Sequence, residues 1–160
     1  MTLRLILLRH AKSDWHAGLS DHERPLNRRG RLAAPLMGAW LREEGLTPAL
    51  ALVSSATRTQ ETWERLGLAA PMETRPAIYE AEAETILEEL NLTGGAASPL
   101  LLVGHNPGIG DAANRLLSDD VIGDFPTAQA AVIGFEAAVW ADVRPGCGRL
   151  LALAQPKGLV

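Results

Sequence analysis

The apolar positions of this chain fall in short blocks separated by polar stretches. Leu3–Leu8 is an apolar run of strand length that stops abruptly at Arg9-His10-Ala11-Lys12. A run so short and so uniformly apolar reads as a buried strand. A polar loop extends from Lys12 to about Leu26. Asn27, a favourable N-cap, then predicts a helix with Leu32, Leu36, Trp40 and Leu41 on its apolar face and Gly45 at its end. Pro35 lies inside that pattern and predicts a kink or a split, because it removes a backbone donor. Leu50–Val53 predicts a second strand. A helix over Ala56–Leu66 follows, with Trp63 and Leu66 buried. Ala77–Tyr79 reads as a short third strand. Ala83–Leu92 reads as a helix with Ile86, Leu87 and Leu90 facing inward, and Gly94–Pro99 as a turn. Leu100–Val103 predicts a fourth strand. Pro107 suits the first turn of the next helix, which ends near Leu117. Two final strands are expected near Ala130–Phe135 and Arg149–Ala154, beyond a loop over Ser118–Thr127.

Strands alternating with helices predict a three-layer α/β/α architecture with a mostly parallel central sheet. The last two strands are expected to add an antiparallel edge. The chain has 160 residues, the length of one domain, so residues 1–160 are expected to form a single unit. A domain near this size buries roughly 70% of its unfolded surface.

Composition narrows the function only slightly. The net charge is −4, which argues against a nucleic-acid partner but leaves room for a local cationic pocket. No apolar segment approaches the length of a membrane span, and the first apolar run is too short for a signal peptide. Cys147 is the only cysteine, so no disulfide can form within the chain, and a reducing, cytoplasmic setting is expected.

Three junctions carry candidate chemistry. The first presents Arg9 and His10, the second Ser54-Ser55-Ala56-Thr57-Arg58, and the third Gly104-His105-Asn106. In a parallel sheet these junctions share one carboxyl edge, so their side chains can converge. Two guanidinium groups and two imidazoles in one pocket suit a phosphoryl group, which arginine grips through paired hydrogen bonds. Helix N-termini after the second and fourth strands add partial positive charge. A neutral imidazole held against phosphate can attack phosphorus and form a covalent intermediate.

These residues resemble the histidine phosphatase superfamily, also called the phosphoglycerate mutase-like fold. The resemblance rests on Arg9–Trp15 (RHAKSDW), Asp21–Gly30 (DHERPLNRRG), Ser54–Thr62 (SSATRTQET) and Val103–Gly108 (VGHNPG), in that order. The chain is most similar to the SixA-type phosphohistidine phosphatases. The resemblance implies that His10 is the phosphorylated nucleophile and that Arg9, Arg58 and His105 complete the phosphate pocket. It places His16 where many relatives have an asparagine beside the phosphate. Glu80 falls near the place of the catalytic glutamate in mutase-like relatives. With Glu82 and Glu84 beside it, a surface carboxylate reading fits Glu80 equally well. Asp14 and Asp21 are lesser candidates for an acid, and Arg24 is a candidate cation at the pocket rim. Ala11 replaces the usual glycine, so its φ is expected to be negative.

The implied activity is a phosphatase that needs no metal or other cofactor. Its expected substrate is a phosphohistidine on a phosphorylated protein of the histidine phosphotransfer type, with a small phosphomonoester as the alternative. A non-catalytic phosphate- or phosphoprotein-binding module is a second reading. A metal hydrolase built on His10, His16, His22 and His105 is a third. It is disfavoured because no carboxylate cluster accompanies them and paired arginines repel a cation.

Overall fold

The computed structural model describes residues 2–159. Its strands are β1 (Thr2–Arg9), β2 (Leu50–Val53), β3 (Met72–Thr74), β4 (Leu100–Gly104), β5 (Ala130–Glu136) and β6 (Arg149–Ala154). Its helices are α1 (Arg28–Glu43), α2 (Thr57–Leu66), α3 (Ala83–Thr93) and α4 (Gly108–Leu116). The six strands form one sheet in the order β3-β2-β4-β1-β5-β6. Pairing is parallel from β3 through β1 and antiparallel from β1 to β5 and from β5 to β6. Thus β5 alone runs against the rest, and β6 returns to the common direction.

Burial explains why the central strands are mainly apolar, with Arg4 the one charged residue inside the Leu3–Leu8 run. Leu5 and Leu7 of β1 pack into one core and Ile6 and Leu8 into another, so both faces of the strand are covered. Right-handed crossovers account for the two cores. The outward steps from β1 to β2 to β3 place α1 and α2 on one face. The return step from β3 to β4 places α3 on the other, where it packs with α4. Met37, Leu41, Trp63 and Leu66 accordingly join Ile6 and Leu8, whereas Ile86, Leu90, Ile109 and Leu116 join Leu5 and Leu7. This is the expected three-layer arrangement. No helix among the described residues is long and apolar enough to cross a membrane.

Three local expectations are corrected. The third strand is Met72–Thr74, not Ala77–Tyr79. It is a three-residue edge strand between Pro71 and Pro76, with exposed Glu73 and Thr74, so no apolar signal marks it. Pro76–Ile78 instead forms a 3-10 turn that drops Ile78 fully into the core. Helix α1 runs unbroken through Pro35, which is exposed, so a carbonyl released there can bond to water. The buried face of α1 is Gly30, Ala34, Met37, Gly38 and Leu41, while Leu32 is exposed and Leu36 and Trp40 are half-buried.

That face is small because backbone comes close to it. A Cβ on Gly38 would lie 1.9 Å from the Leu66 carbonyl oxygen, and one on Gly30 would lie 2.2 Å from the Lys12 carbonyl oxygen. Gly38→Ala is expected to force α1 and α2 apart and lower stability by about 2–3 kcal/mol. Urea unfolding measures this directly, and an unchanged midpoint would contradict the close approach.

Candidate active site

The carboxyl ends of β1, β2 and β4 meet at one edge, as the parallel pairings require. Hydrogen bonds fix the end of β1 on both sides. The His10 amide donates to the Gly104 carbonyl at 3.0 Å, and the Ala11 amide donates to Thr62 Oγ1 on α2 at 3.0 Å. Ala11 is not among the residues with positive φ, in keeping with its Cβ. Thr62 and Thr59 are fully buried on the face of α2 that also carries Arg58.

Arg9, His10, Arg58 and His105 line one cavity of about 650 Å³, together with Lys12, Ser13, Trp15, Asp21, Arg24, Glu80 and Asn106. The rings of His10 and His105 lie 5.4 Å apart. His10 Nδ1 is 2.7 Å from the Ala11 carbonyl oxygen. A carbonyl only accepts, so Nδ1 carries the proton and Nε2 keeps its lone pair. Ser54 Oγ is 2.7 Å from His105 Nε2 and accepts from the Ala56 amide at 3.4 Å. This contact fixes the orientation of the His105 ring. His105 Nδ1 is buried and has no partner.

The two arginines are built alike. Arg9 donates through Nη1 to the Phe125 carbonyl at 3.0 Å. Arg58 donates through Nη1 to the Asp21 carbonyl at 2.7 Å and through Nη2 to Asp21 Oδ2 at 3.2 Å. Nη1 is anchored in both and Nη2 in Arg58 as well, while Nε of each is buried without a partner. Leaving a buried donor unpaired costs about 1–3 kcal/mol. Arg9, Arg58 and His105 bring two guanidinium groups and an imidazole to one cavity beside His10, a lining suited to an oxyanion.

Burial and cationic neighbours keep both imidazoles neutral. Desolvation, then the charges of Arg58, Arg9 and Arg24, pull the His10 pKa down to about 4, against the hydrogen bond to Ala11, which raises it. Desolvation, then His10 and Arg58, pull His105 down to about 3. An unfolded histidine titrates near 6.5. Below that pH the unfolded chain binds protons that the folded chain refuses, so stability falls as pH drops from about 6.5 toward 4. His10 alone accounts for a loss on the order of 3 kcal/mol. Denaturant unfolding in phosphate-free buffer measures it, and a flat profile over this window would contradict the depressed pKa values.

The carboxylates are placed less as expected. Asp21 accepts from Arg58, from the Tyr79 hydroxyl, and from Arg24 Nη2 at 3.1 Å. The Tyr79 hydroxyl first, then Arg24 and Arg58, hold Asp21 well below the ordinary carboxylate range, against the opposing effect of burial. Tyr79 is pushed up by the same hydrogen bond. Asp21 is therefore a brace for Arg58 and Arg24, not a proton donor. Glu80 stands on the wall shared with a neighbouring cavity, 3.9 Å from Arg58 Nη2, with its side chain 59% exposed. Asp14 accepts from the His16 amide at 2.8 Å.

His16 is not brought to the cavity. It is exposed on the turn that Asp14 stabilises, and the neighbouring Trp15 faces the cavity in its place. Arg24 does reach the cavity and is buried there. Asn106 accepts from the Gly110 amide and donates to the Phe125 carbonyl, which holds the start of α4. His22 is within 2.9 Å of Ser55 Oγ and packs edge-on against Tyr79 at 4.8 Å. Among the described residues no three His, Cys, Asp or Glu side chains come together as a metal site.

Sequence reading missed Tyr79 and Trp15 as site residues, and it gave Ser54, within the second junction, no role of its own. Tyr79 is the only tyrosine and directly precedes Glu80, a signal that the strand assignment obscured. Ser54 ends β2 just as His10 ends β1.

Comparison with known proteins agrees with this geometry. The family model described as histidine phosphatase superfamily (branch 1) matches residues 5–92. An uncharacterized protein of Mycobacterium tuberculosis is 38% identical over 159 residues, covering 94% of this chain and all of that one. A solved chain of Nakamurella multipartitia, assigned the name phosphohistidine phosphatase SixA, superposes with a TM-score of 0.89 at 28% identity, covering 98% of this chain and 97% of that one. The protein histidine phosphatase SixA in complex with tungstate shares the fold, with a TM-score of 0.84 at 23% identity over 99% of this chain and 100% of that one. The mostly parallel sheet, the motif order and the family match lead to one assignment: the chain belongs to the histidine phosphatase superfamily, branch 1.

Proposed function

We propose that this phosphatase hydrolyses phosphohistidine, carried on a phosphorylated protein, through a covalent phosphohistidine on His10. The observation that carries the proposal is the convergence of Arg9, Arg58 and His105 on the cavity that also holds His10, whose Nε2 keeps its lone pair. A phosphoryl group seated among Arg9, Arg58 and His105 has its oxygens neutralised where charge develops during transfer. His10 Nε2 donates its lone pair to phosphorus as the bond from phosphorus to the leaving atom breaks. Water then attacks phosphorus, the bond to His10 Nε2 breaks, and inorganic phosphate leaves.

The environment of the carboxylates supports a nitrogen leaving group. A phosphoimidazole protonated on its free ring nitrogen departs as neutral imidazole and needs no proton from the protein. An alkoxide is a strong base and needs one. Asp21 is held ionised, and Glu80 stands at the rim. The name of the Nakamurella chain, at 28% identity, points the same way. Helix α2, β3, the 76–78 turn, α3 and β4 occupy the chain between Arg58 and His105, which leaves little for a lid. An open mouth suits a phosphorylated side chain on a protein. A lone exposed thiol, Cys147, fits a cytoplasmic site of action.

A substrate panel tests this reading. Phosphohistidine is expected to turn over at least tenfold faster than phosphoserine or a sugar phosphate, and the rate is expected to survive a strong chelator. A higher rate on the phosphate esters would make the protein a small-phosphomonoester phosphatase. No turnover of any member would favour a phosphate-binding module.

A further inference from the structure

We infer that Trp15 is a specificity-determining platform on which the flat ring of the leaving group stacks while its phosphoryl group sits in the cup. The inference rests on the cup being the phosphate seat and adds which leaving groups it prefers. Trp15 lines the same cavity as His10 and Arg58, yet it is 73% exposed. Tryptophan is highly buried on average, so an indole open to solvent at a cavity mouth is unusual. His10, Arg58 and His105 belong to the buried part of the cavity lining. Trp15 is an exposed lining residue, as are Lys12, Glu80, Asn106 and Pro107, so a leaving group projects from the buried residues toward this exposed rim.

The indole is held in place. The Arg24 guanidinium lies 3.6 Å from the centre of the Trp15 ring and covers one face. Arg24 is itself buried, and it donates to Ser13 Oγ at 2.6 Å and to Asp21 Oδ1 at 3.1 Å. The base of the loop is pinned where Ser13 bridges to Leu26 and the Asp14 amide donates to the Pro25 carbonyl at 2.8 Å. Asp21 also braces Arg58, so one carboxylate sets the spacing between the cup and the platform. A ring fixed on one face and open on the other pays little entropy to stack a second ring. Imidazole and phenyl rings fit such a platform, whereas an alkyl chain gains less from it.

Calorimetric titration with two non-hydrolysable probes, phenylphosphonate and methylphosphonate, tests the inference without relying on turnover. The intact protein is expected to bind phenylphosphonate about tenfold more tightly, the range that aromatic stacking supplies. Trp15→Ala and Trp15→Leu are expected to erase that preference while the affinity for methylphosphonate, which reaches only the cup, is retained. Trp15→Phe is expected to keep most of it. A preference that persists in Trp15→Ala, or that Trp15→Leu keeps in full, would overturn the platform and leave the cup standing. Binding of neither probe by the intact protein would overturn the cup, and the platform with it.

Discussion

His10→Ala is expected to lower phosphohistidine hydrolysis by at least about 10³-fold, to the level that the remaining cup can supply without a nucleophile. The nucleophilic atom follows from one contact. Because the Ala11 carbonyl takes the Nδ1 proton of His10, only Nε2 has a lone pair to donate. Alanine also relieves the folded state of a buried imidazole, so the variant is expected to fold and to be more stable than the parent at pH 5. Steady-state turnover and denaturant unfolding on the same preparation separate loss of chemistry from loss of structure. A variant that keeps more than a tenth of the parent's rate would remove His10 from the reaction.

Arg58→Lys is expected to cost about 10²–10³-fold in kcat/KM, comparable to removing a donor that acts on transition-state charge. Lysine keeps the positive charge but cannot do what Arg58 does in this structure. Its guanidinium is held by the Asp21 carbonyl and carboxylate while the residue lines the cavity beside His10. A single ammonium must give up either the brace or the phosphate. Most of the loss is expected in kcat, since the interaction strengthens as charge builds on the transferring group. A loss under threefold would mean that charge alone, not the fixed geometry, is what the site uses.

Much of the fold was legible because β1, β2 and β4 are interior strands with both faces covered, so they read as short, mainly apolar runs. The ends of those same strands carry Arg9-His10, Ser54 and His105, which is why the cup could be anticipated from sequence. The errors lie where burial and side-chain size part company. The inner face of α1 is built on Gly30, Ala34 and Gly38 because Lys12 and Leu66 backbone press against it, and larger leucines such as Leu32 are left outside. Edge strand β3 needs only backbone pairing and carries Glu73 and Thr74. Ile78 supplied the apolar signal for a strand but is a plug in a turn. The brace of Asp21 and Tyr79 joins two loops distant in the chain, and no local pattern announces it. His16 and Trp15 are adjacent, and only the pinned turn decides which of them faces the cavity.

A phosphoryl group on a histidine nitrogen survives alkali and is lost in acid, so mixing the protein with radiolabelled phosphohistidine substrate and quenching into alkali within milliseconds probes the intermediate itself. Peptide mapping of the quenched protein is expected to place the label on His10, and the label is expected to decay as inorganic phosphate appears and to be absent in His10→Ala. Turnover with no label on the protein, or with the label on any other residue, would contradict the covalent route.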